Sequence, residues 1–270
     1  MSSAGGYARG SVAVVGCGWL GEALAQNLLA AGYTVSGTTT REGKLPRLRA
    51  LGIRAEVMRL SPKPPTDFTP GPDVADVDAL AVWRADQLVL NVPPGRTDAS
   101  RRAYPAQVLA AVLAYRRAQP SGRIVFCSST SVYGDMTGEV FADTPLRSES
   151  PRALCMALAE SQVRSQSQRP HVILRLGGLY GGQRHPGKTL AGRSDIPDGD
   201  APTNLVSRER VIERIRTHLD APFWAEGSRI ENVVDGAHPT KRELYGGYAR
   251  ERGLAVPTFL DGGGEGKVVR

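Results

Sequence analysis

The chain has 270 residues, 41% of them hydrophobic and 23% charged, the ordinary composition of a soluble protein. That length allows one large α/β domain, or a domain plus a small appendage, and buries a core without disulfides or a structural metal. The net charge is +7, but 29 of the 34 basic residues are arginine and no basic run reaches five, so solvated faces account for it better than a nucleic-acid surface.

Cys17, Cys127 and Cys155 are odd in number and form no CxxC, which argues against a disulfide framework and a zinc ribbon. No two of His171, His185, His218 and His238 stand four apart, so no helical metal site is expected, and the metal prediction is none. No apolar run approaches the roughly 18 residues of a membrane helix, and MSSAGGYARG lacks the pattern of a signal peptide. The expected location is the cytoplasm, with a small-molecule substrate and neither a nucleic-acid nor a membrane partner.

Residues 11–15 (SVAVV) predict a buried strand, followed by helical spacing over 20–31. Strands are predicted next at 33–37 and, more weakly, at 53–60. The stretch 61–72 carries five prolines and predicts an exposed loop. A fourth strand is predicted at 87–92, a long helix over about 99–118, a fifth strand at 123–128 and a sixth at 171–176. Strands rich in Val, Ile and Leu, each followed by a helix, predict a doubly wound parallel sheet of the α/β class. After Gly181 the sequence turns rich in Gly, Pro, Arg and Asp, with helices predicted at 207–219 and 240–252 and a short strand at 230–234. The reading is a dinucleotide-type domain over 1–180, with contributions from about 203–235, and a small interleaved substrate lobe over 181–270.

Gly16-Cys17-Gly18-Trp19-Leu20-Gly21 follows the first strand and opens the first helix, the context that gives a GxGxxG its meaning. Gly16 permits the tight turn, Gly18 the approach of a pyrophosphate, and Gly21 close helix packing, with Trp19 and Leu20 in the first helical turn. Cys17 is expected as a small packing residue beneath the turn. The second strand runs into Gly37-Thr38-Thr39-Thr40-Arg41 without a carboxylate before Glu42. Thr39 and Arg41 suit a ribose 2′-phosphate, so NADP is favoured over NAD, although Arg41 also suits a solvated helix start. Asn91 and Pro93, in the run that ends the fourth strand, are placed along the nicotinamide ribose.

The run Ser128-Ser129-Thr130-Ser131-Val132-Tyr133-Gly134-Asp135 resembles the SSxxVYGD signature of extended short-chain dehydrogenases/reductases. VVGCGWLG, LNVPPG, LRLGGLYG, RHPGKTLAG and HPTKRELY extend the resemblance over nearly the whole chain. Together they are most similar to the atypical, YeeZ-like branch of NAD(P)-dependent epimerases/dehydratases. The resemblance implies a Rossmann fold and oxidoreductase or epimerase/dehydratase chemistry. The alternative is a non-enzymatic dinucleotide sensor or scaffold. It also implies a homodimer through helices near 99–118 and 152–167. Counting back from Ala159-Glu160 puts Met156 where the family's lysine belongs and Arg152 where its tyrosine belongs. Without that pair the usual tyrosinate loses its supporting cation. At Asn204-Leu205-Val206-Ser207-Arg208-Glu209-Arg210-Val211, Ser207 and Arg210 replace a family histidine and aspartate. The chain closes at Arg270, about a strand and a helix earlier than the family pattern leads one to expect.

Ser129 is then the candidate for holding a substrate oxygen, or else bonds its own turn. Tyr133 either packs under the loop or carries a proton. Ser131 falls beside them as a substrate contact. Arg184, His185 and Lys188 form either an anion clamp, with His185 as a proton carrier, or a solvated loop.

Overall fold

The computed structural model describes residues 9–60, 80–147, 150–165, 170–222 and 228–270; the proline-rich stretch 61–72 lies outside them. Strand β1 (Arg9–Val15) leads through the glycine turn into α1 (Trp19–Ala30), then β2 (Tyr33–Thr39), the short α2 (Leu45–Ala50) and β3 (Arg54–Val57). Next come β4 (Gln87–Leu90), α3 (Asp98–Ala118), β5 (Arg123–Ser129), β6 (Gly138–Val140) and α4 (Pro151–Ser165). The remainder holds β7 (His171–Leu176), β8 (Gly178–Tyr180), α5 (Gly187–Leu190), β9 (Leu205–Ser207), α6 (Arg208–Asp220), β10 (Ser228–Val233), α7 (Lys241–Glu251) and β11 (Lys267–Val269).

Seven strands form one parallel sheet in the order β3-β2-β1-β4-β5-β7-β10, the doubly wound arrangement that the alternating pattern predicts. Its centre is apolar on both faces. Val12 to Val15, Leu88 to Leu90 and Ile124 to Phe126 are all 0% exposed. Such strands cannot sit at a water-facing surface, which is why continuous apolar runs rather than alternation mark them. Val14 lies opposite Gly37 on one side and Val89 on the other, so the carboxyl ends of β1, β2 and β4 arrive together.

Several strand limits differ from expectation, and at three of them the neighbouring strand shows why. β2 runs on to Thr39 because Thr38 and Thr39 pair with Glu56 and Val57. β3 stops at Val57 because β2 offers no residue beyond Thr39 to continue the ladder. β4 stops at Leu90, which pairs with Val15 at the end of β1, and Asn91 N closes the ladder on Val15 O at 2.9 Å.

The chain forms two compact units. One contains Met1–Ser128, Cys155–Ile173 and Ile215–Arg229; the other contains Ser129–Leu154, Leu174–Arg214 and Ile230–Arg270. The second includes two parallel ladders that periodicity does not reveal, β6 with β11 and β8 with β9, each three residues long. Among the described residues no helix is long and apolar enough to cross a membrane, and no group of three or more His, Cys, Asp or Glu could hold a metal ion. All three cysteines are buried and outside any disulfide.

Candidate functional site

In the first unit the glycine turn is tied to two strand ends. Thr38 Oγ1 accepts from Gly16 N at 3.1 Å, and Thr38 O accepts from Cys17 N at 2.7 Å. Asn91 Nδ2 donates to Gly16 O at 3.3 Å. The three glycines are required for different reasons. Gly16 has φ +103°, and a Cβ there would lie 2.4 Å from Asn91 O. A Cβ on Gly21 would lie 2.2 Å from Gly16 O. Gly18 has φ −81°, and its Cβ would meet nothing within 4 Å. The protein's own packing therefore dictates Gly16 and Gly21, while Gly18 leaves an open cradle at the N-cap of α1. No side chain caps that helix end, whose partial positive charge suits a phosphate. These residues fit a dinucleotide pyrophosphate.

Trp19 is half-buried and Leu20 buried in the first turn of α1. Cys17 is buried beneath the turn with Sγ toward Val14 O, and burial raises its thiol to about 11, so it stays protonated at neutral pH. Thr39 is buried, its hydroxyl accepting from Arg41 N at 3.2 Å, and Arg41 is exposed. Asn91 is half-buried and Pro93 exposed.

Sequence reasoning passed over a charged cluster beside the turn. Lys44 Nζ donates to Cys17 O at 2.9 Å and to Glu22 Oε2 at 3.0 Å, and Arg47 donates to Glu22 Oε1. Burial pushes the Glu22 carboxyl up, but the bonds from Lys44 and Arg47 overcome it and hold its pKa below the ordinary value. The one acidic side chain in the first turn of α1 is thereby ion-paired through both carboxylate oxygens.

The second unit begins with the Ser129–Gly134 turn. Ser129 Oγ accepts from Ser131 N at 3.1 Å, the self-bonding turn that was one of its two readings, and its own O–H proton remains to be donated. Ser131 Oγ is shielded from solvent and makes no hydrogen bond among the described residues. Tyr133 is fully buried. Its hydroxyl lies 2.8 Å from both Phe141 O and Asn232 Oδ1 and accepts from Arg175 Nη1 at 2.9 Å. The Arg175 guanidinium also sits 5.0 Å over the Tyr133 ring.

The loop after β8 turns tightly at Gly181 and Gly182, both with positive φ. Arg184 is exposed on it, its backbone bridged to Gly181, and Lys188 is exposed in α5. His185 stacks on Tyr248, with centroids 4.1 Å apart and planes 6° apart, and meets Tyr180 edge-on at 6.1 Å. Its Nδ1 accepts from Gly187 N at 3.1 Å, which assigns the ring proton to Nε2. Burial first, and the Arg252 charge second, lower its pKa. The ring is therefore a neutral hydrogen-bond donor near pH 7, and it cannot take up a proton without releasing Gly187 or its own Nε2 proton.

Two further residues take partners far along the chain. Asn204 Nδ2 donates to Lys267 O at 2.9 Å while its Oδ1 accepts from Val269 N at 2.8 Å. Lys267 Nζ in turn donates to Gly134 O. Ser207 Oγ accepts from Arg210 N at the start of α6, so the serine in the histidine position serves a helix end.

Residues 12–194 match the model of the NAD dependent epimerase/dehydratase family. Protein YeeZ of Escherichia coli strain K12 is 36% identical over 260 residues, covering 96% of this chain and 90% of that protein. Two solved structures share the fold. The UDP-glucuronic acid 4-epimerase of Bacillus cereus, in complex with NAD, superposes with a TM-score of 0.71 at 18% identity, over 93% of this chain and 88% of the other. The UDP-Glc/GlcNAc 4-epimerase of Campylobacter jejuni gives 0.74 at 16% identity, over 93% and 86%.

Proposed function

The chain belongs to the NAD dependent epimerase/dehydratase family, and on that premise we propose that it binds a nicotinamide dinucleotide and performs oxidoreductase or epimerase/dehydratase chemistry on a small anionic substrate. The observation that carries the proposal is the Gly18 cradle, the one glycine of the motif that internal packing does not require. Gly16, Gly18, Trp19, Leu20 and Gly21 would hold the pyrophosphate, and Asn91 and Pro93 would border the nicotinamide ribose. Thr39 and Arg41 would receive a ribose 2′-phosphate, with Glu22 already ion-paired, so NADP is the favoured form. When bound, the dinucleotide supplies a hydride acceptor or donor.

The chain's own residues then orient and bind. Ser129, with its O–H proton uncommitted, holds the substrate oxygen, and the orphaned Ser131 hydroxyl finds its partner on the substrate. Arg184 and Lys188, both exposed, bind the substrate's negative charge. Tyr133 takes no proton-transfer part in this reading, because it is buried and its hydroxyl is engaged by three groups. His185 contributes an Nε2–H donor rather than a base.

The UDP-sugars named for the solved relatives are the first substrate class to try. Incubation with NADP⁺ or NAD⁺ and a panel of UDP-hexoses and UDP-hexuronic acids, followed by absorbance at 340 nm and chromatography, tests the proposal. A new isomer, a dehydrated product or a rise at 340 nm supports it. A second reading, a dinucleotide sensor without catalysis, draws on Arg152 and Met156 in the family's tyrosine and lysine positions. It predicts tight dinucleotide binding with no change in any substrate.

A further inference from the structure

Hydride chemistry on an alcohol requires a group that takes the hydroxyl proton. Tyr133 and His185 are engaged as described, and a guanidinium such as that of Arg152 does not serve as a general base. The last strand brings in a different candidate. β11 runs parallel to β6, with Lys267 opposite Gly138 and Val269 opposite Val140. Asn204 braces this strand on both sides of Val268, as described above. Asn232 adds a second brace, donating Nδ2 to Arg270 O at 2.7 Å while its Oδ1 bonds the Tyr133 hydroxyl. Lys267 is thereby held in place, half-buried, with its amine against the carbonyl of Gly134, the residue that closes the turn begun by Ser129.

We propose that Lys267 is the proton carrier of the reaction proposed above; the role rests on that reading and on the braced position of its amine beside the Ser129–Gly134 turn. In the oxidative direction the neutral amine takes the proton of a substrate hydroxyl and becomes an ammonium. The O–H bonding pair becomes the second bond of C=O, and the C–H hydride passes to the oxidised nicotinamide dinucleotide, which is reduced. Reversal returns the proton and the hydride. One amine N–H stays on Gly134 O throughout, so the nitrogen keeps its place as it gains and loses charge.

The charges facing it fit this use. Burial lowers the Lys267 pKa most; Asp135, next to Gly134, raises it, and Arg152 on α4 lowers it, with a net shift below the ordinary lysine value. Glu139 and Arg270 on the two paired strands bond to each other at 2.9 Å.

The chain has five lysines, so each can be followed separately. Trace acetylation of the full-length protein across pH 6–10, read by peptide mass spectrometry, is expected to place the rise in Lys267 acetylation at lower pH than the rise for Lys188 or Lys241, each lysine being compared with its own rate at high pH so that accessibility cancels. On the sugar-nucleotide panel, Lys267→Met and Lys267→Arg are both expected to lower turnover by about a hundredfold or more. Dinucleotide affinity should be unchanged in both variants. An acetylation profile for Lys267 that rises at no lower pH than the others overturns the proposal, and so does wild-type turnover in Lys267→Arg, which keeps the charge but cannot give up a proton. Dinucleotide binding by the wild-type protein separates the two claims. Its loss removes the function reading, whereas intact binding with an ordinary Lys267 removes only this inference.

Discussion

Individual side chains at the turn are held by atoms of the chain itself, and this makes their substitutions readable. A methyl group at Gly21 would stand 2.2 Å from Gly16 O, inside any real contact, and the neighbour is backbone that cannot swing away. Gly21→Ala is expected to cost about 1–3 kcal/mol in urea unfolding. Tyr133→Phe removes the hydroxyl that joins Phe141 O, Asn232 and Arg175. It should cost about 1–3 kcal/mol while leaving dinucleotide affinity intact, which separates a structural tyrosine from a proton carrier. His185 is depressed below its reference value of about 6.5 because burial penalises the charged ring and the Arg252 charge repels it. Its contribution to stability is thus complete above that reference value and declines as pH falls from there through the folded value. A nitrogen-15 NMR titration should show an Nε2–H tautomer with a midpoint below 6.5, and a midpoint at or above it would contradict the assignment.

At the scale of elements, helix ends carry much of the definition. The Thr97 hydroxyl accepts from Ser100 N, and Ser100 Oγ meets Thr97 N, so two N–H groups at the start of α3 are satisfied reciprocally. Asp98 in the first turn and Arg116 and Arg117 in the last complement the helix dipole. Thr97→Ala should lower thermal stability by about 1 kcal/mol, with no effect on dinucleotide binding. The central strands were legible from sequence because continuous apolar runs are what a doubly covered parallel sheet demands. The β6–β11 and β8–β9 ladders were not, since three residues are too few to display a period. The limits of β2, β3 and β4 shifted with the reach of their partner strands, information held in the neighbour rather than in the strand.

Across the whole molecule, legibility followed separation along the chain. The glycine turn could be read because its chemistry lies within six consecutive residues, although its stitching by Thr38 and Asn91 could not. The surroundings of Ser129 were less legible. Tyr133 meets Asn232 99 residues away, and Gly134 meets Lys267 133 residues away. No local pattern marks a lysine whose importance comes from a strand pairing that distant. The central claim is that the cradle over Gly18 holds a nicotinamide dinucleotide, and calorimetric titration of the wild type and Gly18→Asp with NADPH and NADH tests it most directly. A carboxylate there occupies open space, so folding should survive while the pyrophosphate is displaced and repelled. The expected result is binding by the wild type, tighter for NADPH, that disappears in a variant of unchanged circular dichroism. Absence of binding by the wild type, or equal binding by the variant, would contradict the account.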